Sequence, residues 1–130
     1  MAALIRKKSR LTEDESLLAN TRRIADLVAD KKAKDIKAYD LRGLTIMADV
    51  FVICTATSEP QMKAVYNAVR EGMREIGVAP LNTEGTYSGE WLLMDFGSVL
   101  FHIFRPESRE FYDLDGLWGD APRIPLELEE

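Results

Sequence analysis

The sequence predicts a single α/β domain, a mixed β-sheet covered by helices, with elements in the order α-β-β-α-β-β-α. Three observations carry that reading. Two segments, "LTEDESLLANTRRIADLVADKKAKD" and "SEPQMKAVYNAVREGMREIG", repeat apolar residues at helical spacing. Between them "DVFVICTAT" is apolar on both faces, as a central strand covered on two sides must be. Beyond the second helix, "WLLMDF-GS-VLFHIF" reads as two strands joined by a tight turn.

In chain order, Thr12 and Glu15 stand at capping-box spacing and mark the expected start of the first helix. Its stripe is Leu17, Thr21, Ile24 and Val28, flanked by Leu18, Ala25 and Leu27. "IKAYDLRG" alternates and ends at Gly43, giving a strand with a turn after it. The second helix has Ser58 as N-cap, Gln61 three residues on and Pro60 in the first turn, where a missing N–H costs little. Met62, Val65, Val69, Met73 and Ile76 form its buried stripe, and Gly77 stops it. "VAPLNTEGTYSGE" is expected to be a loop of about a dozen residues, long for a compact domain. In the hairpin, a two-residue turn at Gly97-Ser98 sets Phe96 against Val99, Met94 against Phe101 and Leu92 against Ile103 on one apolar face. The other face collects Trp91, Leu93, Asp95, Leu100, His102 and Phe104. A short helix or turn follows Pro106, and Pro122 and Pro125 mark an irregular exit.

The whole chain, 1–130, reads as one domain with its core at about 14–122 and flexible ends at 1–11 and 123–130. At 46% hydrophobic and 30% charged it has the balance of a soluble globular protein. No apolar run approaches the ~18–20 residues a spanning helix needs, so no membrane role is expected. "MAALIRKKSR" has no apolar stretch of signal-peptide length, although a processed chain could have lost a presequence. The single cysteine, Cys54, excludes an internal disulfide and any multi-cysteine metal site. A cytoplasmic location with no cofactor and no metal is the natural expectation. Charge is unevenly spread. From Glu107 to Glu130 eight acids face two bases, a net of −6 against −5 for the chain, leaving +1 for the other 106 residues. Such an end repels phosphate, so little direct nucleic-acid contact is expected, and it attracts a basic protein.

Two constellations have both a catalytic and a structural reading. Asp95 and His102 are diagonal neighbours across the hairpin, roughly 7 Å apart at Cα. A triad would need a nucleophile, and Cys54 lies within the most apolar strand, where thiols are inert packing. A structural Asp–His pair is the better reading. "FGS" at 96–98 and "DLD" at 113–115 suggest the phosphate-binding turn and metal-binding acids of a nucleotidyltransferase. Yet Gly97-Ser98 leads into a strand rather than a helix, and "DLD" stands in a turn-like stretch where two acids one apart diverge. Gly72 reads as a packing glycine, and Arg70 and Arg74 as a solvated face. Glu84, Gly85 and Tyr87 either shape a rim or turn the chain. The cluster Trp91, Phe104, Phe111, Tyr112 and Trp118, with acids around it, has the composition of an interface hot spot. Phe111 is expected to point inward, and Tyr112 and Trp118 toward a partner. A binding surface therefore outweighs an enzyme, and no catalytic residue is assigned.

At these residues the chain resembles the ribosomal silencing factors, the RsfS or Iojap family. The matching pieces are "ADVFVICTATSEPQMKAV", "EGTYSGEWLLMDFGSVLFHIF" and "RPESREFYDLDGLWGDAP". The resemblance implies a nucleotidyltransferase-like fold without catalytic machinery. It also implies binding to the large ribosomal subunit through the subunit's protein fourteen, so that subunit joining is blocked and translation repressed when nutrients are short. It assigns the partner-binding role to Trp91, Asp95, His102, Arg109, Glu110, Tyr112, Leu114 and Trp118. There are two departures from the family pattern: Pro60 stands where arginine is usual, and Asp115-Gly116 replaces a glutamate and a bulky residue. An apolar patch left uncovered in the free protein would be hidden by pairing two copies, so a homodimer is expected.

Overall fold

The computed structural model describes the backbone of residues 2–128 and the side chains of residues 13–128. Nine elements follow one another: α1 (Ala2–Asp30), β1 (Lys34–Asp40), β2 (Val50–Thr55), α2 (Glu59–Arg74), β3 (Asn82–Glu84), β4 (Trp91–Asp95), β5 (Val99–Phe104), α3 (Pro106–Tyr112) and α4 (Leu114–Leu117). The five strands form one sheet in the order β1-β2-β5-β4-β3. Only β2 and β5 run parallel; the other neighbours are antiparallel, so the sheet is mixed as expected.

β2 and β5 lie in the middle and are buried along their whole length, the reason both read as apolar on two faces. The hairpin register is the expected one, with Met94 opposite Phe101 and Leu92 opposite Ile103. Gly97 takes φ 89°, a left-handed value open to glycine at low cost. One face of the sheet packs against α1 and α2, where Leu17, Ile24, Val28, Met62, Val65, Val69 and Met73 meet Val52, Cys54, Met94 and Phe101. Full burial of each large aliphatic side chain stabilises by about 1.5–3 kcal/mol, and this layer supplies most of the apolar burial. Ser58 caps α2 by accepting from Gln61 N at 3.2 Å. Gly72 is the contact point between the two helices: a β-carbon there would collide with Leu27.

Four expectations are corrected. α1 does not begin at a Thr12–Glu15 capping box; its backbone is already helical from Ala2. "AALIRKKSRL" holds no glycine or proline, so nothing in it stops a helix. Ile76 is half exposed beyond the end of α2 rather than in its buried stripe. The expected loop at 78–90 contains β3, three residues of which only Thr83 favours a strand, recruited by the open edge of β4. The exit past Pro122 is docked, not loose. Asp40 N donates to Pro122 O, Ile124 N donates to Ala38 O, and Ile124 is buried against the helical layer. Two prolines signal irregular backbone, but the apolar Ile124 and Leu126 beside them fix where it packs. The terminal residues 1 and 129–130 of the expected flexible ends lie outside the described residues.

Candidate functional site

The second face of the sheet carries Tyr39, Leu41, Phe51, Ile53, Leu100 and Phe104, and among the described residues α3, α4, the segment up to Ala121 and Ala48 pack against it. α3 begins at Pro106 and is pinned by its first turn, where Arg105 N donates to Glu90 O and Ser108 Oγ donates to Glu90 Oε2. It ends at Asp113, whose left-handed backbone (φ 48°) turns the chain into α4. The Asp113 carboxylate accepts from Gly116 N at 3.0 Å and so caps α4.

Arg109 holds this assembly to the sheet. Its Nε and Nη2 donate to the two carboxylate oxygens of Asp115 at 2.9 and 3.1 Å, a bidentate pair. Its Nη1 donates to Asp35 O at 2.6 Å and to Thr55 Oγ1 at 3.0 Å. Tyr39 Oη donates to Asp115 Oδ1 at 2.6 Å. Burial pushes the Asp115 carboxyl up, but the bonds from Arg109 and Tyr39 outweigh it and hold the group below its ordinary range. Burial, with the bond to Asp115, raises the Tyr39 hydroxyl to about 12.

Next to this clamp is a stack of rings. Trp91 lies against Phe104 with centroids 4.9 Å apart and against Tyr112 at 4.8 Å. Its Nε1 donates to His102 Nδ1 at 3.1 Å. That bond requires the neutral imidazole with its proton on Nε2, and burial lowers the His102 pKa to about 4. Tyr112 is half exposed, and Phe111, edge-on to it at 5.1 Å, is 81% exposed. Trp118 is partly buried, edge-on to Phe51 at 5.9 Å, and Leu114 packs beside it.

Of the eight residues expected to contact a partner, Trp91, His102 and Tyr112 come together in this stack, with Leu114 and Trp118 on the adjoining patch. Glu110 is exposed on α3. Arg109 is committed inward with a side chain only 10% exposed, and Asp95 lies at the far end of β4. The Asp95–His102 pair is not formed: Asp95 accepts from Gly97 N at 2.7 Å and caps the hairpin turn, while His102 answers Trp91. The expectation that Phe111 points inward is overturned, because Trp91, Phe104 and Trp118 already fill that side of the core. Sequence reasoning also missed the exposed Leu44, Ile46, Met47 and Leu117. The signal was present as an apolar run, "LTIM", between Gly43 and Asp49 in a turn that no core period requires.

The nucleotidyltransferase constellation does not assemble. Gly97-Ser98 and Asp113/Asp115 lie off opposite ends of β5, separated by about 20 Å of strand. Both acids serve other groups, Asp113 as a cap and Asp115 in the Arg109 clamp. Cys54 is fully buried and its thiol is pushed up to about 12, so it is no nucleophile.

The face is an exposed surface of mixed aromatic and acidic character on a five-stranded mixed α/β domain. The family model described as "Ribosomal silencing factor during starvation" matches residues 14–130. A ribosomal silencing factor RsfS of Halalkalibacterium halodurans is 38% identical over 100 residues, 77% of this chain and 86% of the relative. The chloroplastic protein Iojap of Arabidopsis thaliana is 33% identical over 118 residues, 91% of this chain and 49% of that protein. The crystal structure of a Chromobacterium violaceum protein superimposes with a TM-score of 0.74 at 32% identity, covering 85% of this chain and 92% of the other. The chain belongs to the ribosomal silencing factor family, RsfS. No helix among the described residues is long and apolar enough to cross a membrane.

Proposed function

We propose that this chain represses translation in the cytoplasm by binding the large ribosomal subunit through its protein fourteen and blocking attachment of the small subunit. The observation that carries the reading is the exposed ridge of Phe111 and Tyr112, backed by Trp91 and flanked by Glu107, Glu110 and Asp113. Large rings on a rigid base give affinity, and acids around them steer a basic ribosomal protein. Blocking needs affinity and bulk at the joining face, and no chemical step. In the free protein the same ridge is an apolar surface that two copies cover by pairing, which gives a homodimer. Co-sedimentation with separated subunits tests the proposal. Wild type is expected in the large-subunit pellet and to suppress joined ribosomes. A folded Phe111→Ala/Tyr112→Ala variant that pellets equally well would remove the assigned surface.

A further inference from the structure

A second surface lies at the opposite side of the Arg109 clamp. An open groove of about 600 Å³ runs between the end of α1, β1 and the chain exit, and Lys32, Lys34, Lys37 and Arg123 line it with Asp35 as the lining carboxylate. We propose that this groove binds the phosphate backbone of RNA, giving the protein a nucleic-acid contact beside its protein-binding ridge. The choice of RNA among polyanions rests on the ribosomal reading above.

The cations are available. Among the described residues, Lys32, Lys34 and Arg123 have no carboxylate within salt-bridge distance, and Lys37 has only the distant edge of Asp115, at 3.9 Å. Asp115 already accepts three hydrogen bonds, two from Arg109 and one from Tyr39. Arg123 extends over the Tyr39 ring, 5.6 Å from its centroid, an arrangement that orients a guanidinium without neutralising it. In a chain of net charge −5, four cations around one groove are a concentrated exception.

Their backbone setting is selective as well. Lys32 has φ 65°, directly after α1, at the helix-terminating position where glycine is favoured. A lysine there is a cost to the fold, and strain of this kind gathers at functional surfaces. Asp35 is left-handed too (φ 49°), within the irregularity between Lys34 and Lys37 of β1. Lysines on an edge strand also keep foreign strands away. That role accounts for Lys34 and Lys37 but not for Lys32, which precedes the strand, or Arg123, which follows α4. The groove and the ridge are mechanically joined, since Arg109 on α3 donates to the carbonyl of Asp35 on the groove wall. A surface that combines protein and RNA can therefore meet both at once through two rigidly connected contacts.

The test uses the full chain, a short fluorescein-labelled RNA hairpin and purified large subunits across a salt series. The Lys32→Gln/Lys34→Gln/Arg123→Gln variant should bind the hairpin at least about tenfold more weakly than wild type, with a salt slope shallower by about 2–3. Arg70→Gln/Arg74→Gln, on the far helix α2, should match wild type. Lys32→Gly guards against a folding artefact: it should raise Tm while weakening RNA binding. Equal hairpin binding by wild type and the triple variant, or equal loss in the α2 control, would overturn the proposal. With subunits, an unchanged salt slope in the triple variant overturns the groove while leaving the ribosomal reading intact. Hairpin binding lost in the triple variant, from a wild type that never pellets with subunits, supports the groove and sinks the ribosomal reading instead.

Discussion

The two faces of the sheet are built on different principles. On one, two long helices lay continuous apolar stripes over Val52, Cys54, Met94 and Phe101, and shape and burial suffice. On the other, the cover is two short helices, α3 and α4, neither long enough to be stable by itself. They are held by directional bonds instead: Arg109 joins them through Asp115 and reaches Asp35 and Thr55, Tyr39 donates to Asp115, and Ser108 donates to Glu90. The helical face is sealed, while the clamped face leaves rings half in water. A complete apolar layer would bury the ridge of Phe111 and Tyr112, and the short clamped helices leave it open to water.

Breaking the sealed face should have the largest effect. Phe101→Ala removes a fully buried ring between β2 and β4 and should cost about 3–5 kcal/mol, read as a lower urea midpoint. Breaking the clamp should come next. Arg109→Ala leaves Asp115 without its bidentate partner and should cost about 3 kcal/mol. Arg109→Lys should recover little of it, since an ammonium satisfies neither the fork geometry nor all four acceptors. If Arg109→Ala proves neutral, α3 is held by ring packing alone and the contrast between the faces fails.

The contrast also explains what the sequence made legible. Helical stripes, the central strands and the hairpin register rest on periodicity, a local property, and residues such as Met62, Val69 and Met94 stand where it puts them. The clamped face rests on contacts distant in the chain. Nothing near Arg109 reveals that it reaches Asp35 and Thr55, and the spacing of Asp113 and Asp115 cannot show that one caps a helix while the other meets Tyr39. Composition marks the rings of this face, but which of them faces out depends on which rings already fill the core. Phe111 faces out for that reason.

Acid should separate the faces at a third level of effect. His102 is buried and neutral, with a pKa lowered from 6.5 to about 4 by burial. A base with a depressed folded pKa makes the unfolded state bind more protons between those values, so its contribution falls as pH drops through 6.5 and levels off below about 4. Between pH 7.5 and pH 5 the loss should be about 2 kcal/mol relative to a variant lacking the imidazole. His102→Gln keeps an acceptor for Trp91 Nε1 and should flatten that part of the pH profile in chemical denaturation. An equally steep profile in the variant would assign the acid sensitivity elsewhere.

The smallest folding effect is expected at the most exposed ring. Phe111 is 81% exposed and touches mainly Tyr112, so Phe111→Ser should change stability by less than about 0.5 kcal/mol. Its value lies in that neutrality. The residues behind it, Trp91 and His102, support the sheet as well as the ridge, so loss of binding on their substitution is ambiguous. A Phe111→Ser protein with wild-type melting and CD spectra isolates the surface from the fold. Weakened large-subunit binding by that protein would show that the half-covered face is open for recognition. Unchanged binding together with unchanged stability would make Phe111 an ordinary exposed apolar residue, and would move the contact toward Tyr112 and the partly buried Trp118.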